Sequence, residues 1–255
     1  MIMAGIPIGR VIEKLDELLN LNDDYKAGER HLKYWLEEAR SLQDDQGAFT
    51  VVNELIGMYR KWGMKEQAMG ACETAKELTA RLGIEDEVGG ATAYLNIATA
   101  CKAFGNAAEA VELYKRAERI YERDLDSNDP RLAGLYNNLG LALTDTAAYD
   151  EAEQCFRKAI ETMSKKKNGE ADCAISYLNL AEMLERKMGF EAAEEKILSY
   201  MDKGWELLNT PTLPRDGYYA FVAEKCFPLF RHYEYYLIAN ELESRVKTIR
   251  SSRGN

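Results

Sequence analysis

The side chains able to do covalent or acid–base chemistry are few and scattered. There are two histidines, His31 and His232, one toward each end of the chain. A Cys–His or Ser–His–Asp arrangement needs an imidazole held beside a nucleophile, and two histidines so far apart make one hard to assemble. The five cysteines, Cys72, Cys101, Cys155, Cys173 and Cys226, include no CxxC pair of the kind that holds zinc or exchanges disulfides. Their odd number and wide spacing read as small core residues in a reducing compartment. No phosphate loop or GxGxxG is present, and Gly89-Gly90 is an isolated pair. The acid pair Glu194-Glu195 reads as solvated helix surface. The run Lys165-Lys166-Lys167 reads as a polar helix end favoured by the helix dipole. The expectation is a protein that is not an enzyme, with no cofactor and no metal site.

What does recur is asparagine. Asn96, Asn138 and Asn179 sit in three similar segments, Tyr94-Leu95-Asn96-Ile97-Ala98, Tyr136-Asn137-Asn138-Leu139-Gly140 and Tyr177-Leu178-Asn179-Leu180-Ala181, which follow one another at 42 and 41 residues. Asparagine is a mediocre helix former, so its return at one position of a helical repeat needs a reason. A carboxamide offers both donor and acceptor. A column of them can hold the main chain of an extended peptide without reading its side chains; alternatively, each can bond its neighbouring helix.

The elements that position these asparagines follow from the same repeat. Tyr94, Ile97, Ala98 and Cys101 fall at i, i+3, i+4 and i+7, the apolar stripe of a first helix. Gly105 ends it, because glycine takes a left-handed conformation cheaply. A second helix then shows Ala107, Ala110, Val111, Tyr114 and Ala117. Alanine recurs 12 residues after each asparagine segment, at Ala110, Ala152 and Ala193. Small residues at a crossing let two helix backbones approach, and tyrosines and leucines fill the space beside them. Asp129-Pro130 opens the next unit, with aspartate as cap and proline in the first turn. A weaker copy carries Tyr59, Gly63, Ala68 and Ala75.

Composition agrees with a helical repeat. In 255 residues, 46% are apolar and 30% charged, so the chain can build a core and is not a disordered one. Only 5 prolines and 18 glycines are too few turn residues for an all-β protein. No apolar run is long enough to span a membrane. The formal charge of −10 repels phosphate and argues against nucleic acid as a partner. The apolar stretch Met1–Ile8 is short and has no basic residue before it, so a secretory signal is not expected and the reading is cytoplasmic.

These residues resemble the tetratricopeptide repeat, a helix–turn–helix unit stacked into a right-handed solenoid. Tyr136, Leu139, Gly140, Leu143, Ala152, Phe156 and Ala159 stand at its signature positions. The long 41–42-residue period, with Asn128-Asp129-Pro130 at the junction, is similar to the kinesin light chain subgroup. The resemblance implies an all-α solenoid of about six antiparallel hairpins. A degenerate hairpin covers 1–46, repeat units cover 47–87, 88–130, 131–170 and 171–211, and an aromatic-rich capping hairpin covers 212–255. It also implies a non-catalytic scaffold that binds an extended peptide or partner segment in a groove lined by the first helices.

By that resemblance the groove takes Asn53, Arg60 and Lys61 from the second unit and Asn96, Thr99 and Lys102 from the third. The fourth gives Asn137, Asn138, Leu141 and Asp145, and the fifth gives Asn179, Glu182 and Arg186. A clamp for acidic peptide tails is not expected, because its basic positions hold residues such as Asn53, Glu54 and Leu95. The eight aromatics of the last unit, from Tyr218 to Tyr236, cap the stack and leave a monomer, or else expose a face for a second copy. Pro228 among them should end or kink a helix near Phe227. A peptide-pheromone receptor of the same repeat class is the alternative function; such receptors usually carry an effector domain, whereas residues 1–46 hold one more hairpin.

Overall fold

The computed structural model describes residues 5–21 and 24–252; Met1–Ala4, Asn22-Asp23 and Arg253–Asn255 lie outside it. Among the described residues there is no strand. The helices are α1 (Ile8–Asp16), continued by a π-helical turn Glu17–Leu21, α2 (Tyr25–Ser41), α3 (Asp45–Lys61), α4 (Lys65–Leu82), α5 (Val88–Ala103) and α6 (Ala107–Asp124). They continue as α7 (Pro130–Asp145), α8 (Tyr149–Ser164), α9 (Glu170–Met188), α10 (Phe190–Leu208), α11 (Gly217–His232) and α12 (Tyr236–Ser251). The chain divides into two compact units, residues 1–124 and 125–255. In the first, α3 pairs with α4 and α5 with α6, and α5 packs on both helices of the hairpin before it. In the second, α7–α8, α9–α10 and α11–α12 are the hairpins; α9 lies against α7 and α8, and α11 against α9.

The hairpin crossings explain the small residues. Gly140 on α7 faces Phe156 on α8 so closely that an added Cβ would lie 2.6 Å from the ring. Phe156 is wholly buried. In the first unit, Ala98 and Tyr114 hold the same register. Tyr114 is also fully buried, and its hydroxyl lies 2.9 Å from Thr99 Oγ1. Burial pushes that phenol up to about 12. One repeat later Phe156 replaces Tyr114 and Leu141 replaces Thr99, so both polar groups leave together and neither repeat buries an unpaired hydroxyl.

The turns inside the hairpins recur as well. Gly63, Gly105 and Gly189 have φ of 67°, 87° and 82°, and Ala147, at the same register, has φ of 61°. An alanine in this left-handed region carries a cost of roughly 1–2 kcal/mol that glycine avoids, against about 0.5–1 kcal/mol of extra backbone entropy lost by glycine. Ala147→Gly should therefore stabilise the second unit by up to about 1 kcal/mol. Thermal denaturation would show this as a higher midpoint; a lower one would mean that Ala147 is unstrained.

The expected cap is present. Asp129 accepts the Arg131 N–H at 2.9 Å with Pro130 as first helical residue, and the Arg131 guanidinium holds the Asp129 carboxyl down to about 2. In the last hairpin Tyr219, Phe230 and Tyr233 are buried, Phe227 and Tyr235 half-buried, and Tyr218, Phe221 and Tyr236 exposed. The helix does not end at Phe227: α11 runs through Pro228 to His232. Proline removes one i to i−4 bond, and the burial of Phe230 and Tyr233 beyond it holds the last turn in place. Arg245 ties this hairpin to α10, donating to Tyr219 Oη at 3.0 Å and Asn209 Oδ1 at 2.9 Å while lying 5.1 Å from the Trp205 ring.

Candidate functional site

In the first unit the face to consider is that of α3 and α5. Asn96 on α5 donates from Nδ2 to Asn53 Oδ1 on α3 at 3.0 Å, and Asn53 Nδ2 donates to the Phe49 carbonyl of its own helix at 2.9 Å. Both side chains are half-buried. Thr99 is committed to the fold, through the Leu95 carbonyl at 2.8 Å and Tyr114. Arg60 and Lys61 are exposed at the end of α3, with Lys61 Nζ 4.7 Å from the Trp62 ring centre, and Lys102 is half-buried. Glu54 stands where later repeats have asparagine; burial, with Asp16 adding repulsion, raises its carboxyl above the usual range.

The second unit repeats the asparagine contact. Asn179 on α9 donates from Nδ2 to Asn137 Oδ1 on α7 at 3.0 Å, and Ser176 Oγ lies 3.3 Å from the same oxygen. Asn179 is only 5% exposed, so it supports the face rather than forming its surface. Asn137 and Asn138 are half-buried, and Asn138 makes no side-chain hydrogen bond among the described residues. Leu141 and Glu182 are half-buried beside them. Arg186 reaches from α9 to Asp145 at the end of α7, 2.7 Å away, so these two candidate residues hold each other.

The contacts therefore sort the column. The mid-helix amide of α5 or α9 bonds an asparagine on the preceding first helix of the same unit, twice and at the same distance. Asn138 has no such partner among the described residues. The sequence did not single out Ser176. Its signal was its place three residues before Asn179 on the same helix face.

The scattered reactive groups are each tied into the fold. His31 Nε2 lies 2.9 Å from the Val11 carbonyl, and His232 Nε2 lies 2.8 Å from Glu185 Oε2, which also accepts from Tyr233 Oη. The five cysteines are buried. Lys165 closes α8 and pairs with Glu161 at 2.9 Å, and the rest of that basic run is exposed. Among the described residues no group of three metal-ligating side chains gathers. No helix there is long and apolar enough to cross a membrane.

A family model described as tetratricopeptide repeat matches residues 91–131 and 132–171. No curated protein sequence gives a match. Among solved structures the fold is similar to BtubC (BKLC) from P. vanneervenii, with TM-score 0.68 and 22% identity over 82% of this chain and 86% of that one. It is also similar to a Podosopora anserina protein described as a kinesin light chain with nearly identical TPR-like repeats, with TM-score 0.55 and 16% identity over 79% and 94% of the two chains. A third likeness is to the APC/C assembly Cut9-Hcn1, with TM-score 0.53 and 15% identity, covering 95% of this chain and 43% of that one. At these identities the likeness is one of fold. Proteins of this repeat class are generally non-catalytic scaffolds for protein–protein interaction. Residues 91–171 are tetratricopeptide repeats by that match, and the described residues have the all-α fold of tetratricopeptide-repeat solenoids, similar to kinesin-light-chain-like structures.

Proposed function

We propose that this chain is a non-catalytic scaffold that holds an extended peptide or partner segment along its first helices. The observation that carries the reading is Asn138. It sits half-buried on α7 with a carboxamide that no group among the described residues uses, beside Asn137, whose oxygen is already held. A carboxamide kept in mid-helix without a fold partner costs helix propensity that no hydrogen bond within the fold offsets. Its donor and acceptor suit the alternating C=O and N–H of an extended main chain. The test is Asn138→Ala, measured both for binding of peptides selected on the full chain and for melting: loss of binding without loss of stability supports the reading, and normal binding sinks it.

The terminal hairpin favours a monomer in this reading. The exposed residues along α12 beyond its first turn are polar, Asn240, Ser244, Lys247 and Thr248 among them, and leave no apolar stripe there for a second copy to cover. Only Tyr236 and Leu237, 54% and 86% exposed, break that pattern. Sedimentation velocity should show one monomeric species, with Tyr236→Glu indistinguishable from it. A dimer that this substitution dissociates would make the hairpin an interface between copies.

A further inference from the structure

The two asparagine pairs share a polarity. In each, the amide of the later repeat donates and the oxygen of the earlier repeat accepts, Asn96 to Asn53 and Asn179 to Asn137, both at 3.0 Å. In the first unit Asn53 also gives an N–H to the Phe49 carbonyl, which pins its amide a second time. In the second unit Asn137 makes no such bond. Its oxygen faces Asn179 and Ser176, and both of its N–H groups are left to the half-exposed side. A carboxamide can turn over and exchange its ends. What prevents this is a buried amide aimed at its oxygen.

We infer that Asn179, assisted by Ser176, is a positioning residue that fixes Asn137 with its N–H groups outward, so that this face offers donors to the main-chain carbonyl of an extended partner. The inference rests on the scaffold reading and specifies which end of the carboxamide the partner meets. A neutral carbonyl is preferred to a carboxylate because Asp172 and Glu182 lie on the same side of α9 as Ser176 and Asn179, at i, i+4, i+7 and i+10, and would repel an anion. Asn138, unheld, serves either as donor or acceptor and tolerates the main chain in either register.

The experiment uses the full chain. Peptides are selected from a randomised phage library, remade with acetylated and amidated ends, and their affinities measured for the wild type and two variants. Asn137→Asp still accepts from Asn179 and Ser176 but has no N–H to offer. Asn179→Asp replaces the amide donor with a carboxylate, which draws the Asn137 N–H groups inward and leaves its oxygen facing out, against the single hydroxyl of Ser176. Residue 179 is buried, so a ligand does not reach it. Each variant should bind about 10-fold more weakly or worse, the loss of one or two hydrogen bonds, with circular dichroism unchanged. If Asn179→Asp does not fold, Asn137→Asp decides, since it keeps the tie between the helices. Wild-type affinity in a folded Asn137→Asp overturns the inference. If binding survives there yet falls in Asn138→Ala, the scaffold reading stands without this polarity. If the library yields no peptide that binds the wild type, the scaffold reading falls and this inference with it.

Discussion

Phe156→Ala should cost the second unit about 3–5 kcal/mol, the range for emptying a fully buried aromatic site. The figure belongs at the upper end for a local reason. Phe156 is completely enclosed and rests on Gly140, which has no side chain to relax into the space left behind. The helix backbones meet there and cannot close further without breaking the rest of the crossing. The void therefore persists, and its cost adds to the lost transfer energy. Against a typical total of about 5–15 kcal/mol, this is enough to populate an opened second unit near room temperature. Urea denaturation followed by far-ultraviolet circular dichroism measures it. A midpoint close to that of the wild type would mean that α7 and α8 are not held by this contact.

Asn138→Ala should have the opposite profile. A main chain lying on α7 would lose one or two hydrogen bonds, each worth about 0.5–1.5 kcal/mol net, which corresponds to roughly 3- to 100-fold in affinity. Stability should be equal or higher, because alanine is the better helix former by up to about 0.7 kcal/mol and no protein partner is abandoned. Asn179→Ala is the internal contrast. It removes the buried donor that Asn137 Oδ1 accepts from, so it should melt earlier by an amount of order 1–3 kcal/mol. If Asn138→Ala melts early and binds normally, Asn138 belongs with Asn96 and Asn179 as a tie between helices.

The repeat was legible because its constraints are local. The 42-residue return of Gly63, Gly105, Ala147 and Gly189 marks turns that need a left-handed residue, and the small residue at 98 or 140 marks a crossing. These are properties of one hairpin, and a single copy of the pattern displays them. The asparagine column was legible as a column but not as a set of contacts. Asn96 and Asn179 resemble Asn138 in every local respect. What separates them is that Asn96 and Asn179 meet Asn53 and Asn137 on a neighbouring first helix of the same unit, a pairing that exists only once hairpins are stacked. Pro228 does not end its helix for a related reason: its local cost is real, but Phe230 and Tyr233 beyond it are buried. The division at Asp124 has no composition shift or linker to announce it.

The burial of all five cysteines gives the protein a set of silent reporters. Cys72 and Cys101 lie in the first unit, and Cys155, Cys173 and Cys226 in the second. Desolvation pushes the thiols of Cys72 up to about 12 and of Cys101 and Cys173 up to about 11, and raises that of Cys226 as well. Only the thiolate is nucleophilic, so an alkylating reagent at neutral pH meets no accessible sulfur while the helices are closed, and at these four positions none that is ionised. Each modification event then records that a particular hairpin has opened, and with one thiol on each of α4, α5, α8, α9 and α11 every hairpin from α3–α4 to α11–α12 carries its own opening probe without any engineered label.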